Sequence, residues 1–158
     1  MRLQTLGLSL LISIFSLQGQ EIQIQILSTT DMHGRILPSD TYSLLPLNQG
    51  WAKIATLIKE ERAKNPNTLL LDAGDTIQGE PINYVRTFVN PTLPEPSIDI
   101  MNSLGYQAMA VGNHEYNFGL SNLRQVQKQA QFSFLSANTL VEKTGRPAFD
   151  SYRSDFRL

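Results

Sequence analysis

Cysteine is absent from this sequence of 158 residues. Its absence excludes disulfide bonds, thiolate metal ligands, a cysteine nucleophile and a lipoprotein anchor. Any metal site must therefore use histidine, aspartate, glutamate or asparagine side chains. Histidine is also scarce, and because the chain has only two, the position of each is informative.

An excess of charge of either sign is missing too. Lysine and arginine together number 13 and aspartate and glutamate 14, which gives a net charge of −1, and no basic run is present. This balance gives no reason to expect a nucleic-acid polymer as partner, so any phosphate recognition must come from a local site. The apolar content of 41% is enough to bury the core of one ordinary domain.

The one long apolar stretch lies at the N-terminus. Arg2 precedes an almost unbroken apolar run from Leu6 to Leu17, and polar residues begin at Gln18. This layout predicts a secretory signal peptide over residues 1–20, with cleavage near Gly19. The apolar run is too short for a membrane-spanning helix, which needs about 20 apolar residues. The alternative is a buried or membrane-anchoring helix. Export without cysteine suits the bacterial periplasm or the cell exterior, without stable membrane insertion.

Strand and helix patterns alternate along the rest of the chain. Strands are predicted where isoleucines alternate at 22, 24 and 26, and over residues 68–71, 108–111 and 132–137, with a further strand beginning at 151. Helices are predicted over residues 51–64, 81–88, 97–104 and 120–130. Ser97 is the predicted N-cap of the third helix, and Gly105 its stop. The alternation predicts an α/β fold, a layered parallel sheet with flanking helices.

Polar residues with ligand chemistry follow three of these strands. The five residues are Asp31, His33, Asp75, Asn113 and His114, and they include both histidines of the chain. In parallel sheets, ligands bind at the carboxyl ends of the strands, so the three loops are expected to meet at one edge.

The chemistry of each residue suggests a role. Asp31 and His33 are two positions apart, so in an extended segment both side chains point to one side and can hold one metal ion. The Asp75 carboxylate can bridge two cations, and Asn113 offers a neutral oxygen ligand. His114 can offer a proton or a positive charge to a phosphoryl oxygen. Together they predict a site for two divalent ions, such as zinc or manganese, whereas Asp72 is expected to hydrogen-bond loop backbone.

Three longer strings resemble one family. They are Ser28-Thr29-Thr30-Asp31-Met32-His33-Gly34, Asp72-Ala73-Gly74-Asp75-Thr76-Ile77-Gln78-Gly79, and the segment from Tyr106 to Gly119. In this order they are similar to the 5′-nucleotidase and 2′,3′-cyclic-nucleotide 2′-phosphodiesterase branch of the calcineurin-like metallophosphoesterases. The resemblance implies metal-dependent hydrolysis of nucleotide phosphoesters.

The resemblance also implies residue roles. Asp31 and His33 would bind the first metal ion, Asp75 would bridge both ions, and Asn113 would bind the second ion and the substrate. His114 would be the catalytic residue that contacts the phosphate. Where 5′-nucleotidases commonly have aspartate this chain has Asn117, which resembles the periplasmic cyclic phosphodiesterases and favours 2′,3′-cyclic nucleotides and 3′-nucleotides as substrates.

The family's site also uses later histidines, and none follows His114 here. Residues 21–158 are therefore expected to be the N-terminal part of a truncated catalytic domain, whose activity requires the missing part. Two alternatives remain open. One is a non-catalytic exported protein that binds a metal or a nucleotide, and the other is a thiohydrolase of the same branch.

Overall fold

The predicted α/β class is confirmed in a computed structural model that describes residues 21–150. The predicted signal peptide and the strand predicted from residue 151 lie outside the described residues. The elements, in chain order, are β1 (Gln25–Thr29), α1 (Trp51–Lys64), β2 (Thr68–Asp72), α2 (Pro81–Tyr84) with a π-helical continuation (Val85–Val89), α3 (Pro96–Leu104), β3 (Ala108–Ala110), a 3₁₀ turn (His114–Tyr116), α4 (Gly119–Gln129) and β4 (Ser133–Leu135).

The four strands are all parallel and lie in the order β1-β2-β3-β4. Because the order advances in one direction and such crossovers are right-handed, the connecting helices are expected on one face of the sheet. The buried core agrees, since it joins Leu70, Met109 and Phe134 of the strands to residues of α1, α3 and α4. The opposite face is more open, and Ile26 on it is 64% exposed.

Two local predictions were wrong. The strand predicted from the alternating isoleucines begins later, at Gln25, so Ile22 and Ile24 precede it, and both side chains are exposed. Helix α3 begins at Pro96, because proline has the helical φ and needs no hydrogen-bond acceptor at that position. Ser97 is therefore inside the helix and buried, where its Oγ accepts a hydrogen bond from the Trp51 indole N–H at 3.3 Å.

The other helix and strand predictions hold to within a few residues. Gly105 ends α3 in the left-handed conformation, with φ of 67°. Residues 34–50 form the predicted loop, in which the only strand-like pairing is an antiparallel bridge between Ser39 and Pro46. No helix between residues 21 and 150 is long and apolar enough to cross a membrane. Since all four strands are parallel, their carboxyl ends lie at one edge of the sheet.

Candidate active site

The loops that follow β1 and β2 run side by side beyond the sheet. The backbone N–H groups of Asp31 and His33 donate to the carbonyls of Gly74 and Asp75, each at 3.0 Å, and that of Gly34 donates to the Thr76 carbonyl at 2.8 Å. These bonds continue the pairing of the two strands past their ends. The first two predicted ligand segments are therefore brought together by the backbone.

Three predicted ligands have an unusual backbone conformation. Asp31, His33 and Asp75 have φ values of 53°, 49° and 59°, and they are three of the four non-glycine residues with positive φ in the described part of the chain. Each such conformation costs about 1–3 kcal/mol and persists where the surrounding structure enforces it, often at functional sites. The strain thus falls on the residues that the sequence singled out.

The side chains of Asp31 and His33 point towards each other. Asp31 Oδ1 lies 3.7 Å from His33 Nε2. His33 Nδ1 lies 2.7 Å from the Gln78 carbonyl, which can only accept, so Nδ1 carries the proton and the Nε2 lone pair is free. Both side chains line a cleft of about 230 Å³. An imidazole nitrogen and a carboxylate are thus presented together to solvent.

Gly34 is required by the packing next to this pair. It has φ of 70°, and a Cβ added there would lie 1.9 Å from the Asn83 Oδ1 atom. Asn83 is buried, and its amide N–H donates to Glu95 Oε1 at 2.9 Å. The start of α2 therefore lies against the loop that carries His33.

The loop after β3 joins the site through Asp75 and His114. The His114 backbone N–H donates to Asp75 Oδ1 at 2.8 Å. The His114 ring lies edge-on to the His33 ring, with centroids 4.9 Å apart. The two histidines of the chain, which come from different loops, therefore meet at one place.

A neighbouring amide determines which nitrogen of His114 carries the proton. Asn117 Nδ2 lies 2.8 Å from His114 Nδ1, and because the amide N–H can only donate, Nδ1 is the acceptor. The neutral ring then carries its proton on Nε2. Asn113, directly before His114, is exposed.

Two buried carboxylates support these loops. Asp72 is 3% exposed; its Oδ1 accepts the Gly74 N–H at 2.9 Å, which confirms the predicted bond to loop backbone, and its Oδ2 accepts the Thr29 hydroxyl at 2.5 Å. Burial raises the pKa of Asp72 to about 6, although these hydrogen bonds oppose the rise. Glu115 is fully buried and accepts only backbone N–H groups. The sequence identified Asp72 but gave Glu115 no role.

Arg35 lies beside the site but is already paired. Its guanidinium forms an ion pair with the Glu80 carboxylate, which also accepts the Thr41 hydroxyl. Arg35 lines both the cleft of His33 and a neighbouring, largely apolar cavity of about 380 Å³. Its positive charge is thus largely offset by Glu80.

The donor chemistry fits divalent ions of the zinc or manganese kind, which accept carboxylate, imidazole and amide ligands. Within residues 21–150, however, no three side chains of histidine, cysteine, aspartate or glutamate converge closely enough to hold an ion. The side chains of Asp31 and His33 approach to 3.7 Å, and Asp75 is tied to them through the backbone.

Comparison with known proteins points to one family. The family model described as calcineurin-like phosphoesterase matches residues 24–153. The 2′,3′-cyclic-nucleotide 2′-phosphodiesterase/3′-nucleotidase of Yersinia enterocolitica is 35% identical over 155 residues, which are 93% of this chain and 24% of that protein. The chain therefore spans only about a quarter of the length of this relative.

Solved structures agree. The crystal structure of the calcineurin-like phosphoesterase YfkN from Bacillus subtilis superposes with a TM-score of 0.73 at 37% identity, covering 80% of this chain and 40% of that one. The sulfate thiohydrolase SoxB of Thermus thermophilus superposes with a TM-score of 0.67 over 86% of this chain and 34% of that one. Its identity is 17%, so it shows a likeness of fold alone.

Proposed function

The chain belongs to the calcineurin-like phosphoesterase family, as its sequence motifs predicted, and from this we propose that the whole protein hydrolyses nucleotide phosphoesters at a site for two divalent metal ions. Its substrates are 2′,3′-cyclic nucleotides and 3′- or 5′-nucleotides. The observation that carries the proposal is the meeting of Asp31, His33, Asp75 and His114 from three strand-end loops.

Four residues of this chain would hold the metal ions. Asp31 and His33 would bind the first ion, Asp75 would lie between the two, and Asn113 would bind the second. When bound, such ions stabilise the charge on phosphoryl oxygens and make hydroxide accessible at neutral pH. The described residues present fewer converging ligands than two ions need, so further ligands are expected from outside them.

His114 contributes a hydrogen-bond donor to the reaction. A water oxygen forms a bond to phosphorus and releases a proton to the solvent, while the bond from phosphorus to the ribose oxygen breaks and the leaving oxygen takes up a proton from the solvent. Since Asn117 holds Nδ1 as an acceptor, the proton of the neutral ring lies on Nε2, which can hydrogen-bond a phosphoryl oxygen or the leaving oxygen and so offset its developing negative charge. Asn113 would contact the same phosphate.

The substrate class is supported by the relatives and by Asn117. The Yersinia relative is named for 2′,3′-cyclic nucleotides and 3′-nucleotides. With a 2′,3′-cyclic nucleotide, opening the bond to O2′ leaves a 3′-nucleotide, and a second hydrolysis releases the nucleoside and phosphate. Asn117, whose amide contacts His114 Nδ1, favours this substrate class over 5′-nucleotides.

Residues 1–20 direct the protein to the periplasm or the cell exterior in this proposal, as a cleaved signal peptide. The support is the pattern of Arg2, the apolar run that follows and the polar residues from Gln18. N-terminal sequencing of the exported protein is expected to start near Gln20. A mature chain that still begins at Met1 would contradict it.

The test of activity uses the full-length protein. We expect hydrolysis of 2′,3′-cyclic AMP that stops with EDTA and returns with Mn²⁺ or Zn²⁺. His114→Ala is expected to lower kcat by about 100-fold or more, the range of a lost hydrogen bond to charge that develops in the transition state, while the metal content stays within error. Activity that resists the chelator would rule out a metal-dependent reaction, and metal binding without turnover of any nucleotide would indicate a non-catalytic binding protein. A thiohydrolase has only the likeness of fold to SoxB in its favour.

A further inference from the structure

Glu115 connects two of the three loops through one buried carboxylate. Its Oε2 accepts the backbone N–H of Asp75 and of Gly112, both at 2.8 Å. Its Oε1 accepts the N–H of Thr76 at 2.7 Å and of Ile77 at 3.3 Å. The side chain is 0% exposed. Three donors thus come from the loop after β2, and one comes from the loop that carries Glu115 itself.

A second bond runs in the opposite direction. The His114 N–H donates to Asp75 Oδ1 at 2.8 Å, while the Asp75 N–H donates to Glu115. The two loops therefore hold each other reciprocally, and Asp75 takes part in both directions. Its backbone also has the strained φ of 59°, which needs such support to persist.

The chemistry of the carboxylate makes this contact demanding. A buried charge is tolerated only when its oxygens are hydrogen-bonded, and all the donors that contact Glu115 here are backbone N–H groups. If either loop moved, the carboxylate would lose partners where water cannot replace them. Burial of Glu115 therefore couples the position of Asp75 to that of Asn113 and His114.

We propose that Glu115 is a positioning residue for the metal site, which fixes the loops of Asp75 and of His114 in the relative position that metal binding requires. This inference rests on the proposed function, because it takes Asp75 and Asn113 as metal ligands. It goes beyond that function by giving a role to a side chain that touches neither metal nor substrate.

The main variant is Glu115→Gln in the full-length protein. Glutamine keeps the shape but replaces one oxygen with an NH₂ group, which faces two backbone donors whichever way the amide is turned. It must lose either the bonds to Asp75 and Gly112 or those to Thr76 and Ile77. We expect Mn²⁺ affinity, measured by calorimetry, to fall 10- to 100-fold, as it does when groups that orient metal ligands are replaced.

Hydrogen exchange of the metal-free protein gives a readout that does not depend on activity. The amides of residues 75–77 and 112 are expected to exchange faster in Glu115→Gln than in the wild type. Leu104→Ala is the matched control, because it creates a cavity at the end of α3. This position precedes the start of β3 and is away from the carboxyl ends of the strands, where the site lies. It should lower the melting temperature without changing Mn²⁺ affinity or the exchange of these amides.

The outcomes separate the two proposals. If the wild type binds Mn²⁺ and Glu115→Gln binds it equally well, while only its melting temperature falls as in Leu104→Ala, Glu115 is merely structural and the inference is wrong. If the wild type binds no Mn²⁺, the metal site itself is refuted. Should Glu115→Gln not fold, Glu115→Asp provides the same comparison, since it keeps the charge but is too short to reach both loops.

Discussion

Substitution of Gly112 by alanine tests the close approach of two loops at the site. A Cβ at Gly112 would lie 2.3 Å from Asp75 Oδ1, 2.9 Å from the Asp75 backbone nitrogen and 3.0 Å from Asp75 Cγ. Gly112 does not have positive φ, so alanine meets no backbone strain of its own there. The three nearest atoms to this Cβ all belong to Asp75, so the main perturbation falls on that residue.

The magnitude follows from the distances. Ordinary contacts of a Cβ begin at 3.4 Å, so the Asp75 oxygen must move by about 1 Å, whereas metal–ligand distances tolerate only about 0.2 Å. Overpacking of this kind costs about 1–3 kcal/mol of unfolding free energy. We therefore expect Gly112→Ala to remain folded but to bind Mn²⁺ at least tenfold more weakly, with a comparable loss in kcat/KM for 2′,3′-cyclic AMP.

Calorimetry with Mn²⁺, steady-state kinetics and urea unfolding of the full-length protein measure these effects. Gly145→Ala is the control: Gly145 has φ of 64° and open space around its Cβ position, so alanine costs about 1–2 kcal/mol through backbone strain alone. It should lose similar stability and keep normal Mn²⁺ affinity. If Gly112→Ala bound Mn²⁺ as the wild type does, Asp75 would not be a ligand in the position described.

Two further substitutions test groups around the site. Burial raises the pKa of Asp72 in the folded state from 3.8 to about 6, so between these pH values the folded state holds a proton that the unfolded state has lost. The free energy of unfolding therefore falls as the pH rises through this window, by about 3 kcal/mol at most. Asp72→Asn should remove this decline in urea unfolding between pH 4 and 7, and parallel curves for the two proteins would contradict the shift. Asn117→Ala removes the amide that donates to His114 Nδ1, so kcat should fall by about 2- to 10-fold, the worth of one hydrogen bond, with KM nearly unchanged. An unchanged kcat would show that Asn117 does not control the tautomer of His114.

The meeting of the three strand-end loops at one edge could be predicted because it depends on regular structure. Apolar strands followed by Asp31, Asp75 and His114 imply one sheet edge once the strands are parallel, and the structure has them parallel. The bond of Asp72 to the Gly74 N–H also follows from a local pattern, since aspartate commonly accepts a backbone N–H two residues on. Short-range rules were sufficient for these features.

The rest depends on tertiary contacts that no local pattern shows. Glu115 belongs to a motif that was recognised, but an acidic side chain in a turn is usually solvated, and its burial follows from the approach of the loop after β2. The space that excludes a side chain at Gly34 is filled by Asn83, from a distant part of the chain. The prediction of Ser97 as the N-cap of α3 was wrong for a simpler reason. Pro96, directly before it, is the stronger signal for the start of a helix.

The most direct test of the central claim is a crystal structure of the full-length protein grown with Zn²⁺, with the ions located by anomalous scattering. We predict an ion about 2.0–2.2 Å from His33 Nε2 and from a carboxylate oxygen of Asp31, the usual lengths of zinc–nitrogen and zinc–oxygen bonds. Because the three side chains do not converge on one point in the present arrangement, we expect the Asp75 carboxylate to move towards this ion when it binds. A second ion is predicted next to Asp75 and Asn113. Zinc bound elsewhere, with these four side chains free of metal, would contradict the proposed active site.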